Sequence, residues 1–122
     1  MTTTHDIRKL LELAAKAGAP KAPAHTQGWH YSKHGPRGEG MYAASDRSQH
    51  WFWNPATDYG DALRLALKLN FRLELSSGDF EYCEVRDEDG VRRLGYADIN
   101  HCKEYTSLAI LLAAAAIGEA MP

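Results

Sequence analysis

The chain has 122 residues, with 14 basic and 16 acidic side chains, a formal charge of −2, and 44% hydrophobic and 25% charged residues. That composition fits one globular domain over residues 1–122 with a core large enough to fold without staples, and it excludes fibrous and low-complexity classes. The near balance of charge gives no electrostatic case for wrapping nucleic acid, which usually goes with a basic excess. Two cysteines, Cys83 and Cys102, make no disulfide framework. Met1-Thr-Thr-Thr-His-Asp6 lacks the basic-then-apolar pattern of a signal peptide, and the longest apolar run, Leu108 to Ile117, is 10 residues. Spanning a bilayer takes about 20. The cytoplasm is therefore the expected compartment, with no membrane partner.

In chain order, Thr3 or Thr4 can cap a first helix with Asp6 in its opening turn, and Ile7, Leu10, Leu11, Ala14 and Ala17 form one apolar stripe. Gly18 is expected to end that helix as a left-handed cap, and Pro20 prevents its resumption. Ala19 to Gly40 is rich in Gly, Pro, His and Lys. Short strands are expected at Trp29–Tyr31 and Met41–Ala44, and His50-Trp51-Phe52-Trp53 reads as a strand end broken by Asn54-Pro55. Thr57 or Asp58 then caps a helix that runs to Leu69, with Asp61 imitating a capping box. Its only polar residues, Asp61, Arg64 and Lys68, share one narrow face, so this helix is expected to be covered over most of its circumference.

Phe71–Leu75 alternates with period two. Phe80–Arg86 and Val91–Tyr96 flank Asp87-Glu-Asp-Gly90, a hairpin signal because Gly90 tolerates positive φ. The last helix is expected from about Glu104 to Ala120. Helix, short strands, helix, three-strand meander, helix is an α+β order with mainly antiparallel strands and three helices.

The segment Trp53-Asn-Pro-Ala-Thr-Asp-Tyr-Gly-Asp-Ala-Leu-Arg-Leu-Ala-Leu-Lys-Leu69 resembles the hallmark of the phage ABA-sandwich domain family, small phage and prophage proteins. The opening helix Leu10–Ala17, the aromatic glycine-rich middle and the alanine-rich helix Ala109–Ala120 extend the resemblance over nearly the whole chain. It implies an α/β/α three-layer sandwich and a phage or prophage origin in a bacterial host. It implies no established activity and carries no catalytic residues. Tyr59 and Asn70 stand where the family pattern suggests a small or acidic residue and a glycine, so Asn70 must act as the left-handed cap.

Chemistry-bearing signals are sparse. His25, His30 and His34 sit within ten residues and offer candidate metal ligands, but no paired cysteine or carboxylate accompanies them, and the adjoining glycines and Pro36 oppose a helix that would align them. Cys83 and Cys102 could join His101 in a tetrahedral site, although Cys83 lies mid-strand and reads better as a small buried hydrophobe. Asp87–Gly90 fails the full calcium-loop pattern, and Gly35–Gly40 lacks the ending of a phosphate loop. Lys33 and Arg37 with the nearby aromatics leave nucleic-acid binding as a third, weaker reading, since two charges in a loop are usually just solvated.

The aromatics are more informative. Trp29, Tyr31, Tyr42, Trp51, Phe52 and Trp53 cluster in the first half, and three rings in a row place large groups on both faces of one strand. Trp29, Tyr31, Arg37, Tyr42 and Trp51 are the candidate partner-binding residues, being the usual material of interface hot spots. The competing reading is that helices cover both faces. The C-terminal helix also offers more apolar surface than one sheet needs, so a homodimer is open there, with packing on the first helix as the alternative. No cofactor is expected. The resulting expectation is a non-enzymatic accessory protein that binds and modulates a host or phage protein, inhibition of host defence being one such role. The alternative is a small metal- or ligand-binding enzyme using the histidine-rich segment 25–50. Function is expected between Ala24 and Trp51.

Overall fold

The computed structural model describes residues 6–45, 50–77, 81–100 and 104–122. Three helices, α1 (Ile7–Gly18), α2 (Tyr59–Lys68) and α3 (Tyr105–Ala120), accompany six strands: β1 (His30–Gly35), β2 (Gly38–Ala44), β3 (His50–Trp53), β4 (Arg72–Ser77), β5 (Glu81–Arg86) and β6 (Arg93–Asp98). The α+β class with three helices and antiparallel strands holds. The strands form two separate three-stranded sheets, β1-β2-β3 and β4-β5-β6, where the sequence suggested one. The join between them is α2, which takes up the chain between β3 and β4 and keeps the meanders apart.

Helix α3 is the centre of the packing. Its Ala109, Ile110, Leu111, Ala113, Ala114 and Ala115 are all buried, because β5 and β6 cover one side and α1 and α2 the others. Small side chains make this possible. Gly95 on β6 lies directly under the Ala109 carbonyl, and Gly118 on α3 lies against the Leu13 carbonyl of α1. Leu13 meets Gly118 and the Lys16 ammonium reaches the Met121 carbonyl at 2.9 Å, so α1 and α3 run parallel. Much of the spare apolar surface expected on the C-terminal helix packs on α1, the alternative to a homodimer face, while Leu108, Leu112 and Ile117 stay partly exposed and Ala116 exposed.

The helix ends follow local chemistry, with three adjustments. Thr3 and Thr4 lie outside the described residues, and Asp6 is itself the cap of α1, accepting from the Lys9 amide at 3.3 Å. Gly18 is the last helical residue and has no left-handed conformation. It is glycine because a methyl there would sit 2.7 Å from Leu65 Cδ1 of α2. Asp58 caps α2 by accepting from the Asp61 amide at 2.9 Å, but Asp61 does not return to Asp58: its Oδ2 accepts from the Asn54 amide, also at 2.9 Å. At the other end Asn70 takes φ 56°, the Phe71 amide reaches the Ala66 carbonyl and the Asn70 amide reaches that of Leu67. That pair of bonds is a Schellman motif, and asparagine supplies the left-handed residue as expected.

In β4–β6 the register places Leu73, Val85 and Gly95 side by side and Leu75, Cys83 and Ala97 in the next row; the β5 and β6 members of both rows are buried under α3, while Leu75 on the edge strand is 62% exposed. Cys83 is completely buried, and burial pushes its thiol up from an ordinary 9.0 to about 11. The folded thiol therefore stays neutral where the unfolded one ionises. Its contribution to stability is fully present below about pH 9 and is lost as pH rises through about 11. Cys83 should be inert to a disulfide reagent at pH 8 in the folded chain and react fully on denaturation. Rapid labelling without unfolding would contradict this packing.

The expected covering of α2 is only half correct. Ala62, Leu65 and Ala66 are buried, but Tyr59, Leu63 and Leu67, four residues apart along the helix, are 50%, 48% and 76% exposed. Among the described residues no helix is long and apolar enough to cross a membrane.

Candidate functional site

The sheet β1-β2-β3 carries the aromatic cluster, and its register sorts the rings. Tyr31, Met41 and Trp53 lie in one row on the core side; His30, Tyr42 and Phe52 lie in the adjacent row on the outer side. Trp53 is buried and meets the Trp29 ring at 6.4 Å, while the Trp29 indole N–H donates to the Pro20 carbonyl at 2.7 Å. This bond draws the Pro20–Pro23 stretch alongside β3. On the outer face the Tyr42 and Phe52 rings meet at 5.0 Å, and Phe52 lies over Gly40, where any side chain would collide with it.

These arrangements leave a cleft of about 380 Å³ between the Pro20–Pro23 stretch and β3. All four residues of β3, His50, Trp51, Phe52 and Trp53, line it. Successive side chains of a strand point to opposite faces, so a cavity touched by all four lies along the strand's edge. Strand β3 is the edge of its sheet, and among the described residues its backbone bonds only to β2. Its outward N–H and C=O groups therefore face the cleft unpaired.

Trp29, Arg37 and Trp51 come together in this cleft. Arg37 reaches it from the β1–β2 turn, where its guanidinium lies 5.0 Å from the Phe52 ring centre. Tyr42 does not enter the cleft. It is 2% exposed, and its hydroxyl accepts from the Arg37 amide at 2.9 Å and donates to the Gly38 carbonyl at 2.7 Å. Its function is to hold the turn that presents Arg37. Tyr31 is also elsewhere: its hydroxyl donates to Glu39, which raises the phenol's pKa above its ordinary value, and the Arg8 guanidinium sits 5.4 Å from its ring centre.

The electrostatics favour an acidic guest. Lys21 and Arg37 line the cleft with Asp61 as the one carboxylate, and Asp61 is already engaged by Arg64 at 2.8 Å and by the Asn54 amide. Asn54 is 2% exposed and fastens the site: its side-chain N–H donates to the Glu39 carbonyl at 2.7 Å, and its side-chain oxygen accepts from the Ala56 amide at 2.9 Å.

The candidate metal ligands do not converge. His25 sits in a loop with φ 66°, and His30 and His34 share strand β1. Four residues along a strand is about 13 Å, too far for one ion. Among the described residues no three His, Cys, Asp or Glu side chains gather where they could hold a metal. His101 and Cys102 lie outside the described residues.

Lys21, Pro20, Pro23, His50 and Asp61 are cleft residues not singled out from the sequence as partner-binding. Only the composition of Ala19–Gly40 hinted at the first three. The expected location, Ala24 to Trp51, thus extends at both ends. Compared with known proteins, the chain matches no family model, no curated protein and no solved structure.

Proposed function

We propose that this chain is a non-enzymatic binding protein that receives an extended segment of another protein along the open edge of β3. A strand added there would take the unpaired backbone groups of His50–Trp53, as in strand-addition recognition. Trp29 and Trp51 supply ring surfaces for its side chains, and Lys21 and Arg37 favour a segment with an acidic residue. The observation that carries the reading is that both faces of one edge strand line one cleft. The resemblance of Trp53–Leu69 to the phage ABA-sandwich family supports a phage or prophage accessory role for the binding. Its target would then be a host or phage protein in the bacterial cytoplasm, a defence protein among the options.

Selection from a random peptide library tests this. Enriched peptides should be extended, with an acidic residue. Trp51→Ala should weaken the best of them by about 30-fold, the scale of an aromatic hot spot, with an unchanged melting temperature. Failure to enrich any peptide, or binding indifferent to Trp51→Ala, would refute it.

A further inference from the structure

The second sheet also ends on an open strand. Among the described residues β4 pairs only with β5, in an unbroken register from Arg72 opposite Arg86 to Ser77 opposite Glu81. The Ile99 amide donates to the Glu81 carbonyl, so odd-numbered residues of β5 turn their backbone groups toward β6 and even-numbered ones toward β4. By the register, Arg72, Glu74 and Ser76 direct theirs to β5, while Leu73, Leu75 and Ser77 turn theirs to the open side. Exposed edges are commonly blocked by a proline, a bulge or an inward charge. Strand β4 has none of these, and Leu75 on its core-facing side is 62% exposed. Its charges are also unanswered within the chain. Arg72 stands opposite Arg86 and Glu74 opposite Glu84, like against like, which is unfavourable across a strand pair. Glu84 is compensated by Arg86 and Arg93. Among the described residues Arg72 and Glu74 form no ion pair. The Arg72 Nε donates to the Glu88 carbonyl at 2.7 Å, leaving its two terminal nitrogens, and one Glu74 oxygen accepts from the Tyr82 hydroxyl at 3.3 Å.

We infer that β4 pairs antiparallel with β4 of a second copy about a two-fold axis through Leu73, joining the two three-stranded meanders into one continuous sheet. An isologous contact needs a self-complementary surface, and Phe71-Arg-Leu-Glu-Leu75 is one about its centre. Opposed side chains of an antiparallel pair share a face. An axis at Leu73 therefore sets Arg72 of each copy against Glu74 of the other, Leu73 against Leu73, and Phe71 against Leu75. Two ion pairs form on the outer face, and the apolar side chains meet on the core-facing side. Moving the axis by one residue sets Arg72 against Arg72 or Glu74 against Glu74, and moving it to Leu75 leaves Glu74 facing Ser76. The backbone agrees with the charges. Leu73 turns outward in both copies, so the two can exchange hydrogen bonds. That makes Arg72–Glu74 the non-hydrogen-bonded pair, in which side chains lie closest. The charges select a second copy as the occupant, because this one edge carries both members of each ion pair.

Sedimentation equilibrium between about 5 and 200 µM, with circular dichroism of each variant, is the test. The wild type should be a dimer at the upper concentrations. Arg72→Glu and Glu74→Arg change exposed side chains. Each should keep its spectrum and melting temperature and weaken self-association by about 30-fold, since two attractions become two repulsions. Mixed in equal amounts, the two variants should associate again, because each supplies the charges that the other lacks. The double variant Arg72→Glu/Glu74→Arg should dimerise alone. Cross-linking in a Cys102→Ser background fixes the register. The Cα atoms of a non-hydrogen-bonded pair lie about 4.5 Å apart, within disulfide reach, so Arg72→Cys mixed with Glu74→Cys should oxidise to a covalent dimer. The two positions 72 would lie about 8 Å apart, so either variant alone should link poorly. A wild type that stays monomeric, a mixture of the charge variants that associates no better than either alone, a double variant that stays monomeric, or cysteine variants that link equally well alone and mixed would each overturn the inference. The peptide selection on the β3 cleft is read separately and is unaffected by either outcome.

Discussion

Gly118→Ala should destabilise the protein by about 3 kcal/mol and lower its melting temperature by about 10 °C or more. The sign is the informative part. Alanine in a helix is intrinsically favoured over glycine by about 1 kcal/mol, so propensity alone predicts stabilisation. Here the added methyl would fall on the Leu13 carbonyl, and the contact is backbone, which no rotamer change relieves. Overpacking of that kind costs about 1–3 kcal/mol and occasionally more. Gly95→Ala should behave alike, since its methyl would meet the Ala109 carbonyl and the Ala113 amide. Gly60→Ala is the control: its nearest neighbours are side-chain atoms of Arg64 and of the cap Asp58 at 3.1 Å and not backbone, so a shift of a few tenths of an ångström relieves them and the cost should stay well below that of the other two. A urea titration of the three variants separates these outcomes. Stabilisation by Gly118→Ala and Gly95→Ala would mean that α3 does not pack on α1 and β6 at backbone distance.

Asn54→Ala is expected to cost about 3 kcal/mol as well, through hydrogen bonding instead of volume. It strips the Glu39 carbonyl and the Ala56 amide of their partners in a buried turn, and an orphaned buried group costs about 1–3 kcal/mol. Asn54→Asp keeps the oxygen that serves Ala56 but turns a carboxylate toward the Glu39 carbonyl. Its pKa should rise on folding, so its deficit should shrink below about pH 4, where the unfolded carboxyl is protonated as well. Thermal melts at pH 7 and pH 3.5, each against wild type, resolve this. Because Asn54 joins β2 to the start of α2, its loss should also blunt the cleft, and peptide binding should fall with stability.

Most of the elements were legible in the chain because their signals are local. The Asp58 cap, the Asn70 left-handed turn and the Asp87–Gly90 hairpin each depend on residues within five positions of one another, and each formed as the residues dictate. What periodicity does not encode is which apolar faces find a neighbour. Helix α2 looks enclosed in sequence and keeps a bare stripe, whereas α3 looks to have surface to spare and buries most of it, because one sheet and two helices converge on it. The site was half legible for the same reason. Trp29, Arg37 and Trp51 stood out as an aromatic and basic set, but Tyr42 carries the same signature and is consumed in holding a turn. Asp61 read only as part of the narrow polar face of α2, yet the Asn54 bond turns it back to the cleft wall. The open edge of β3 follows from strand order, which no local pattern records.

Amide hydrogen exchange at His50–Trp53, resolved residue by residue with and without a selected peptide, bears most directly on that edge. Alternate amides of an edge strand face inward and outward. In the free protein the amides facing β2 should be protected and the outward ones should exchange at nearly unprotected rates, and peptide binding should slow the outward ones selectively. Outward amides that are already protected in the free chain, or that remain fast in the complex, would contradict strand addition at β3.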